Sequence, residues 1–191
     1  MSELKGTKTE ENLLKAFAGE SQARNRYTYY ASQAKKEGYK QIEAIFMETA
    51  RNEKEHAKRF FDLLDGGMAE ITASYPAGGI GDTEENLEDA ASGENEEHTE
   101  LYPEFAEVAR EEGFPKIAAA FDKIGEVELE HEKRFLKLLE NLREKKVFAR
   151  DEKARWKCDN CGYVHEGEQA PKKCPACLHG QKYFELKEVN Y

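Results

Sequence analysis

The sequence lacks the features that would place it in several common protein classes. Its 191 residues contain no apolar run of about 20 residues, so no transmembrane helix is expected. The N-terminal stretch MSELKGTKTEENLL has no apolar core of the kind found in signal peptides, which predicts a cytoplasmic protein. A net charge of −10 argues against nucleic-acid binding. No Gly-rich dinucleotide fingerprint is present, so NADH is not expected to bind this chain.

Cysteine is also scarce, and all four residues lie close together near the C-terminus. They form two Cys-x-x-Cys pairs, Cys158 with Cys161 and Cys174 with Cys177, with 12 residues between the pairs. Because disulfides are uncommon in the cytosol, this spacing indicates a tetrahedral metal site. Four thiolates accept either iron or zinc, and the spacing alone leaves both open. A module this small needs its metal in order to fold.

Charged residues, by contrast, are abundant at 36% of the chain, and they surround apolar residues at helical spacing. Four apolar stripes are present: Leu13 to Ala34, Ile42 to Leu63, Leu87 to Val108 and Ile117 to Leu138. A Gly-rich stretch, 66–81, separates the second stripe from the third, and Pro103 predicts a kink in the third helix. The pattern predicts a mainly α fold, an antiparallel four-helix bundle with one long crossover connection.

The composition changes near residue 154, where Cys, Gly, Pro and aromatic residues replace the helical pattern. We therefore predict two domains, a helical bundle over residues 1–150 and a small β-rich metal module over residues 151–191. The bundle itself contains a repeat, since residues 34–64 and 109–139 share 14 identities in 31 positions. A duplicated helix pair is expected to fold into a bundle with a pseudo-two-fold axis.

The repeated phrase places a Glu three residues before a His in two of the four helices. These pairs are Glu53 with His56 and Glu128 with His131, and each lies within an apolar stripe. Residues three apart share one face of a helix, so all four side chains should point into the bundle. Glu-x-x-His alone is weak evidence, because Glu is the residue at 32 of the 191 positions.

Two further Glu residues, Glu20 and Glu94, occupy the apolar faces of the first and third helices. Burying several unpaired carboxylates costs several kcal/mol each, which bound cations would offset. One Glu from each of two helices plus Glu-x-x-His from each of the other two is the pattern of ferritin-like di-iron or di-manganese proteins. The alternative is that these residues form a salt-bridged polar layer or a partly exposed surface, without metal.

Glu97 breaks the symmetry between the halves. Its counterpart is Gln22 at an offset of 75 residues, or Ala23 if the helices are aligned on the two Glu residues of the first and third helices. It is either a seventh ligand, which would make the two metals unequal, or a surface residue. His98 has no Glu three residues earlier and is interpreted as lying outside the site.

Two tyrosines correspond to each other in the repeat. Tyr27 and Tyr102 are separated by the same offset of 75 residues. Either residue could donate a hydrogen bond to a carboxylate that binds metal, or could simply be a core aromatic.

The whole chain resembles rubrerythrins in the order and spacing of its motifs. They are GESQARNRY around Glu20, ExxH at 53–56, GENEE at 93–97, ExxH at 128–131 and the C-terminal CDNCGY with CPAC. The resemblance implies a ferritin-like bundle with two iron ions and a rubredoxin-like domain with one Fe(Cys)4 centre. The implied ligands of the iron pair are Glu20, Glu53, His56, Glu94, Glu97, Glu128 and His131. Those of the single iron are Cys158, Cys161, Cys174 and Cys177.

Two further implications concern the unequal ligands and the tail. In the family, one iron exchanges the Glu97-type ligand for the His56-type ligand when the redox state changes. The tail departs from free-standing rubredoxins, because the knuckles are closer together and Leu178 replaces the Gly that commonly follows the second knuckle. Iron therefore remains an expectation at the cysteine site, with zinc as the alternative.

The activity implied by the resemblance is a non-haem di-iron peroxidase that reduces hydrogen peroxide to water under oxidative stress. Electrons would come from an external donor, rubredoxin or an NAD(P)H-dependent reductase, and pass through the Fe(Cys)4 centre, between subunits of a homodimer. Glu97 is the predicted proton donor, supported by Tyr27 and Tyr102. Two other functions remain open, a ferroxidase or iron-storage protein and a zinc-ribbon structural adaptor.

Overall fold

A computed structural model describes residues 3–189 of the chain. The helices are α1 (Lys8–Glu37), α2 (Lys40–Phe61), α3 (Thr83–Glu96), α4 (Tyr102–Glu111) and α5 (Pro115–Arg143). A π-helical turn, Glu97–Leu101, joins α3 to α4, so the five helices make four rods. Among the described residues, no helix is both long enough and apolar enough to span a lipid bilayer.

The C-terminal module is a small antiparallel sheet. Its strands are β1 (Ala149–Cys158), β2 (Val164–Gln169) and β3 (Phe184–Leu186), and β1 lies in the centre of the order β2-β1-β3. The mainly α bundle with one long crossover and a small β-rich module confirms the predicted fold class. The last helix ends at Arg143, and β1 begins just before the predicted boundary; the division into 1–150 and 151–191 remains a prediction.

Polar residues begin α1 and α3. The spacing of Thr7 with Glu10 and of Asp82 with Glu85 predicts a capping box at each start. At α3 the box is complete, with each side chain accepting a hydrogen bond from the other residue's backbone N–H. At α1 the Thr7 hydroxyl accepts from the Glu10 N–H at 3.1 Å, but the Glu10 carboxylate accepts from the Gly6 N–H instead. The second box is therefore only half formed.

A π-helical turn lies directly before Pro103, where the sequence predicts a kink. Pro103 is the second residue of α4, directly after the Glu97–Leu101 turn. The N–H of Tyr102 donates to the carbonyl oxygen of Glu97, five residues earlier, which is the hydrogen bond of a π-helix. The third rod therefore changes its helical pitch immediately before the proline, and both α-helical parts stay packed on α5.

Two apolar clusters fill the bundle, one toward each end, and both are built by the repeat. In one cluster the ring centroids of Phe46 and Phe135 lie 5.2 Å apart, and in the other those of Phe60 and Phe121 lie 5.0 Å apart. Phe46 corresponds to Phe121 in the repeat, and Phe60 corresponds to Phe135. The repeat therefore relates the first pair of rings to the second pair, as a pseudo-two-fold axis requires. A layer of buried acidic residues separates the two clusters.

The two cysteine knuckles have the same backbone form but different residues at their tightest point. Gly162 and Leu178, which each follow a Cys-x-x-Cys pair, have φ angles of +80° and +63°. Their N–H groups donate to the carbonyl oxygens of Cys158 and Cys174 at 2.8 and 2.9 Å. Leu178 thus adopts the left-handed conformation that glycine tolerates without cost, and its side chain is 64% exposed.

We expect Leu178→Gly to stabilise the module and Gly162→Ala to destabilise it. A left-handed residue other than glycine costs roughly 1–2 kcal/mol, which the glycine's larger unfolded-state entropy offsets by roughly 0.5–1 kcal/mol. No atom lies within 4 Å of a β-carbon added at position 162, so the alanine would introduce strain without a clash. Urea unfolding can be followed by fluorescence, because the single tryptophan, Trp156, is buried in this module. A loss of stability in Leu178→Gly would contradict the strain argument.

Candidate metal centre

Six of the predicted ligands meet in the layer between the apolar clusters. They are Glu20 from α1, Glu53 and His56 from α2, Glu94 from α3, and Glu128 and His131 from α5. The four carboxylates are at most 1% exposed, and the His56 side chain is 13% exposed. Each residue lies at a helical position between buried apolar neighbours, so helix packing brings the six together from all four rods.

The first group of ligand atoms surrounds the His56 ring. Its Nδ1 lies 2.8 Å from Oε1 of Glu128, 3.0 Å from Oε2 of Glu53 and 3.8 Å from Oε2 of Glu20. All four ligand atoms lie within 4.8 Å of one another, which is close enough for a single cation to contact all of them.

The second group repeats this arrangement around His131. Its Nδ1 lies 2.7 Å from Oε2 of Glu128, 3.2 Å from Oε1 of Glu53 and 3.8 Å from Oε2 of Glu94. Glu53 and Glu128 each give one oxygen to the His56 group and the other to the His131 group. The arrangement is therefore that of two adjacent cation sites bridged by two carboxylates.

The hydrogen-bonding state of these atoms fits bound cations. Buried atoms without a hydrogen-bond partner include Glu20 Oε2, Glu53 Oε1, Glu94 Oε2, both oxygens of Glu128 and His131 Nδ1. Such atoms are costly in a protein interior, and they are the same atoms that face the two groups. Two cations would satisfy them, and a donor set of carboxylate and imidazole suits iron or manganese.

The pKa values describe how the cluster holds positive charge when no cation is bound. Burial raises the pKa of Glu20 well above its usual range, with the Glu128 charge adding to the effect, and burial raises the pKa of Glu94 to about 8. Close contact with the His131 and His56 rings outweighs burial at Glu53 and lowers its pKa to about 2. Contact with Glu128 and Glu53 likewise outweighs burial at His131 and raises its pKa to about 12. Without bound cations, the carboxyl and imidazole groups of the cluster thus hold protons at the positions where cations would bind.

Both candidate tyrosines donate hydrogen bonds across the bundle. The Tyr27 hydroxyl on α1 donates to Oε1 of Glu94 on α3 at 2.6 Å, and the Tyr102 hydroxyl on α4 donates to Oε1 of Glu20 on α1. Each tyrosine therefore occupies one oxygen and leaves the other, Oε2, facing a cation site. Burial raises the pKa of both tyrosines well above the usual range, so they remain protonated donors.

Glu97 lies beside the cluster but outside both groups of ligand atoms. It is half-buried and lines a cavity of about 250 Å³ that opens to the surface. Burial raises the pKa of Glu97 well above its usual range, and the nearby Glu20 charge raises it further. The geometry thus gives Glu97 a position between the open cavity and the cluster, where the raised pKa favours the protonated carboxyl group.

The π-helical turn beside Glu97 was not predicted, although the repeat contains a signal for it. Glu20 and Tyr27 are seven residues apart, whereas Glu94 and Tyr102 are eight apart. The second half therefore has one additional residue between ligand and tyrosine, and a π-helical turn accommodates one additional residue within a helix. Because of this turn, Tyr102 keeps the position that Tyr27 has in the first half.

His98, as interpreted from the sequence, belongs to neither ligand group. Its Nε2 lies 2.7 Å from Oε2 of Glu132, and the side-chain amide of Asn95 donates to Oε1 of the same carboxylate at 2.8 Å. This cluster ties the start of the π-helical turn to α5.

The four cysteines form a separate group in the C-terminal module. The Sγ atoms of Cys158 and Cys177 lie 3.7 Å apart, as do those of Cys161 and Cys174. A tetrahedral metal with bonds of about 2.3 Å to sulfur places its ligands about 3.8 Å apart, so the spacing fits one metal ion and excludes disulfides. A backbone hydrogen bond from His179 lowers the pKa of Cys177 to about 6, which favours the thiolate that binds metal.

Comparison with known proteins shows which family combines these two sites. The family described as Rubrerythrin matches residues 11–139, and the one described as Rubrerythrin, rubredoxin-like domain matches residues 156–185. The rubrerythrin of Porphyromonas gingivalis is 63% identical over 188 residues, which cover 98% of this chain and 94% of that protein. The chain belongs to the rubrerythrin family. The resemblance found in the sequence is confirmed, and with it the assignment to a family of oxidoreductases.

Solved structures place this rubrerythrin in the wider ferritin-like fold. A structure described as fully reduced, all-ferrous nigerythrin is 30% identical, covers 97% of this chain and 92% of its own, and has a TM-score of 0.64. A bacterioferritin from Desulfovibrio desulfuricans is 24% identical, covers 73% of this chain and 82% of its own, and has a TM-score of 0.63, which supports the fold alone. The residues present thus fit the family's cofactors, a di-iron site bridged by carboxylates in the bundle and one iron held by four cysteines in the tail.

Proposed function

We propose that this rubrerythrin is a non-haem di-iron peroxidase that reduces hydrogen peroxide to two waters, with two protons and two electrons consumed per peroxide. The observation that carries the proposal is the sharing of Glu53 and Glu128 by both ligand groups. Shared carboxylates hold two metals a few ångströms apart, as needed to act on both oxygens of one small molecule. Two iron ions bound there would supply the two electrons.

The surrounding residues hold this site in place. Tyr27 and Tyr102 each donate one hydrogen bond to a terminal carboxylate, which fixes the orientation of its free oxygen. Because burial raises their pKa values, both phenols keep their own protons and remain hydrogen-bond donors. Their proposed role is to position Glu94 and Glu20 while charge changes at the site.

Glu97 is the proposed proton donor. Its carboxyl group borders the open cavity on one side and the cluster on the other, and burial keeps its pKa raised. A protonated acid at that place can give its proton to a departing oxygen and recover one from water in the cavity. Whether Glu97 also binds metal in one redox state, as the resemblance implies, remains a prediction.

The position of the tail suggests that electrons enter from another subunit. The tail lies against the first turn of α2, where the Lys40 ammonium is 5.5 Å from the ring centroid of Tyr183. Glu53 lies 13 residues further along α2, about 20 Å away at 1.5 Å per residue. This is a long distance for a single electron transfer, so we propose a homodimer in which each tail donates electrons to the bundle of the partner subunit. The electrons would enter the tail from rubredoxin or an NAD(P)H-dependent reductase.

A single set of assays separates this function from its alternatives. The iron-loaded protein should oxidise faster with hydrogen peroxide than with dioxygen, whereas the reverse order with mineral formation would favour a ferroxidase or storage role. Cys174→Ser should abolish turnover driven by NADH and an external reductase, yet leave a single oxidation of the bundle site by peroxide. Lys173→Ser, at the exposed neighbouring position, is the matched control and should change neither rate.

Two results would contradict the proposal. Equal loss of both reactions in a folded Cys174→Ser protein would contradict the proposed roles, electron transfer in the tail and peroxide reduction in the bundle. A purified, metal-replete tail without thiolate-to-iron absorption would instead favour the zinc-ribbon adaptor.

A further inference from the structure

The open cavity beside Glu97 is enclosed by the long crossover connection. Its walls come from α1, from the third rod and from residues 72–76, which belong to the crossover connection and form neither helix nor strand. We call this segment the strap. The cavity has a volume of about 250 Å³, and Glu97 forms part of its wall.

The Tyr75 side chain holds the strap against α1 at the cavity. The Tyr75 hydroxyl donates to the backbone carbonyl oxygen of Lys15 on α1 at 2.8 Å. The Tyr75 residue is 38% exposed, so one side of it faces solvent while another lines the cavity. Removing the ring would widen the cavity without disturbing a buried core residue.

Gly19 lies opposite this ring, and it is a glycine in the middle of a 30-residue helix. Such a glycine destabilises a helix by roughly 0.5–1 kcal/mol relative to alanine, so the position needs a reason. A β-carbon added at Gly19 would lie 3.7 Å from Cε1 of Tyr75 and 3.9 Å from Oε1 of Glu97. The missing side chain therefore keeps open the space between the strap and the proposed proton donor.

We propose that Gly19 and Tyr75 form a size-selective entrance that admits hydrogen peroxide and excludes bulky alkyl hydroperoxides. The inference rests on the proposed peroxidase function, because it concerns which substrates reach the same site. An alkyl hydroperoxide takes the same two electrons and two protons and gives an alcohol and water, so its exclusion is a matter of access. A single β-carbon at Gly19 would contact both the Tyr75 ring and the Glu97 carboxylate, so the passage between these two groups is narrow at this point.

The first test widens the entrance. Tyr75→Ala should raise the rate with cumene hydroperoxide relative to the rate with hydrogen peroxide by at least about tenfold, the discrimination that a single steric contact can supply. Tyr75→Phe is the matched control, because it keeps the ring and loses only the hydrogen bond to Lys15. Its ratio of the two rates should stay within about twofold of the parent protein's.

The second test narrows the entrance and includes a measurement without turnover. Gly19→Ala should raise thermal stability, since alanine favours the helix. It should also slow the association of azide with the oxidised protein about tenfold, as measured by absorbance. Gly125→Ala on α5 is the matched control, because its β-carbon would also find ordinary contacts, at 3.7 Å from Tyr102 Cβ, but it does not line the cavity. It should gain stability and leave azide association unchanged.

The outcomes distinguish this inference from the function on which it rests. If the parent protein reduces hydrogen peroxide but Tyr75→Ala leaves the ratio of rates unchanged, the entrance is wrong and the function stands. If the iron-loaded parent protein does not reduce hydrogen peroxide, the function is wrong, and azide association in Gly19→Ala still tests the entrance. Equal azide association in Gly19→Ala and Gly125→Ala would overturn it.

Discussion

Replacing Glu128 with Gln is expected to abolish stable binding of two metal ions in the bundle while the four-cysteine site keeps its metal. Glu128 gives one oxygen to the His56 group and the other to the His131 group, at 2.8 and 2.7 Å from the two imidazole nitrogens. An amide keeps the shape but has one neutral oxygen and one nitrogen that cannot bind a cation. The expected loss of metal affinity exceeds the roughly 10–100-fold loss that follows removal of a hydrogen bond to a ligand, because Glu128 itself is a direct ligand of both metals.

The matched control is Glu130→Gln, two residues further along α5. Glu130 pairs with Lys133 on the exposed surface, so the same chemical change occurs on the same helix without touching the site. Metal per chain, measured by elemental analysis after dialysis, should fall to the tail's single ion in Glu128→Gln and remain at three in Glu130→Gln. Three ions in both variants would mean that Glu128 does not bridge two metals.

Much of the site could be predicted from the sequence because helical periodicity is a strong constraint. Glu53 and His56 recur at Glu128 and His131 in the same register of a repeat, so their inward direction follows once both helices are assigned. The mainly α fold and its long crossover follow from the same stripes. The structure then adds which oxygen faces which imidazole, a matter of side-chain rotamers that periodicity does not determine.

Other features depend on three-dimensional contacts that the pattern does not contain. Tyr27 could be a core aromatic or a hydrogen-bond donor from its position alone, and only the crossing of α1 and α3 brings it to Glu94. The left-handed backbone of Leu178 is not indicated by leucine itself, which rarely adopts it; the sequence signal is its position, which matches that of Gly162 after the first Cys-x-x-Cys pair. Gly19 was not singled out, since an isolated glycine in a helix is interpretable only when its neighbours in space are known.

The crowding of carboxylates that makes this site suitable for cations also predicts how the metal-free protein responds to pH. Glu94 has a folded pKa of about 8 against an ordinary 4.5, so its contribution to stability is complete below pH 4.5 and is lost as the pH rises to about 8. His131, at about 12 against 6.5, contributes fully below pH 6.5 and loses that contribution as the pH rises toward 12. Glu53, at about 2 against 4.5, contributes above pH 4.5 and loses it as the pH falls toward 2.

The metal-free protein is therefore expected to be most stable near pH 4.5, and to lose several kcal/mol of unfolding free energy by about pH 9. The metal-loaded protein should behave oppositely over the same range, because ligands must lose protons before they bind cations, so rising pH strengthens binding. Urea unfolding of both forms at about pH 5, 7 and 9 measures the divergence directly. Glu94→Gln removes one of the titrating groups, so its metal-free form should lose less stability between about pH 5 and 8 than the parent protein. A metal-free protein whose stability rises steadily to about pH 9 would show that the buried carboxylates do not hold protons in place of cations.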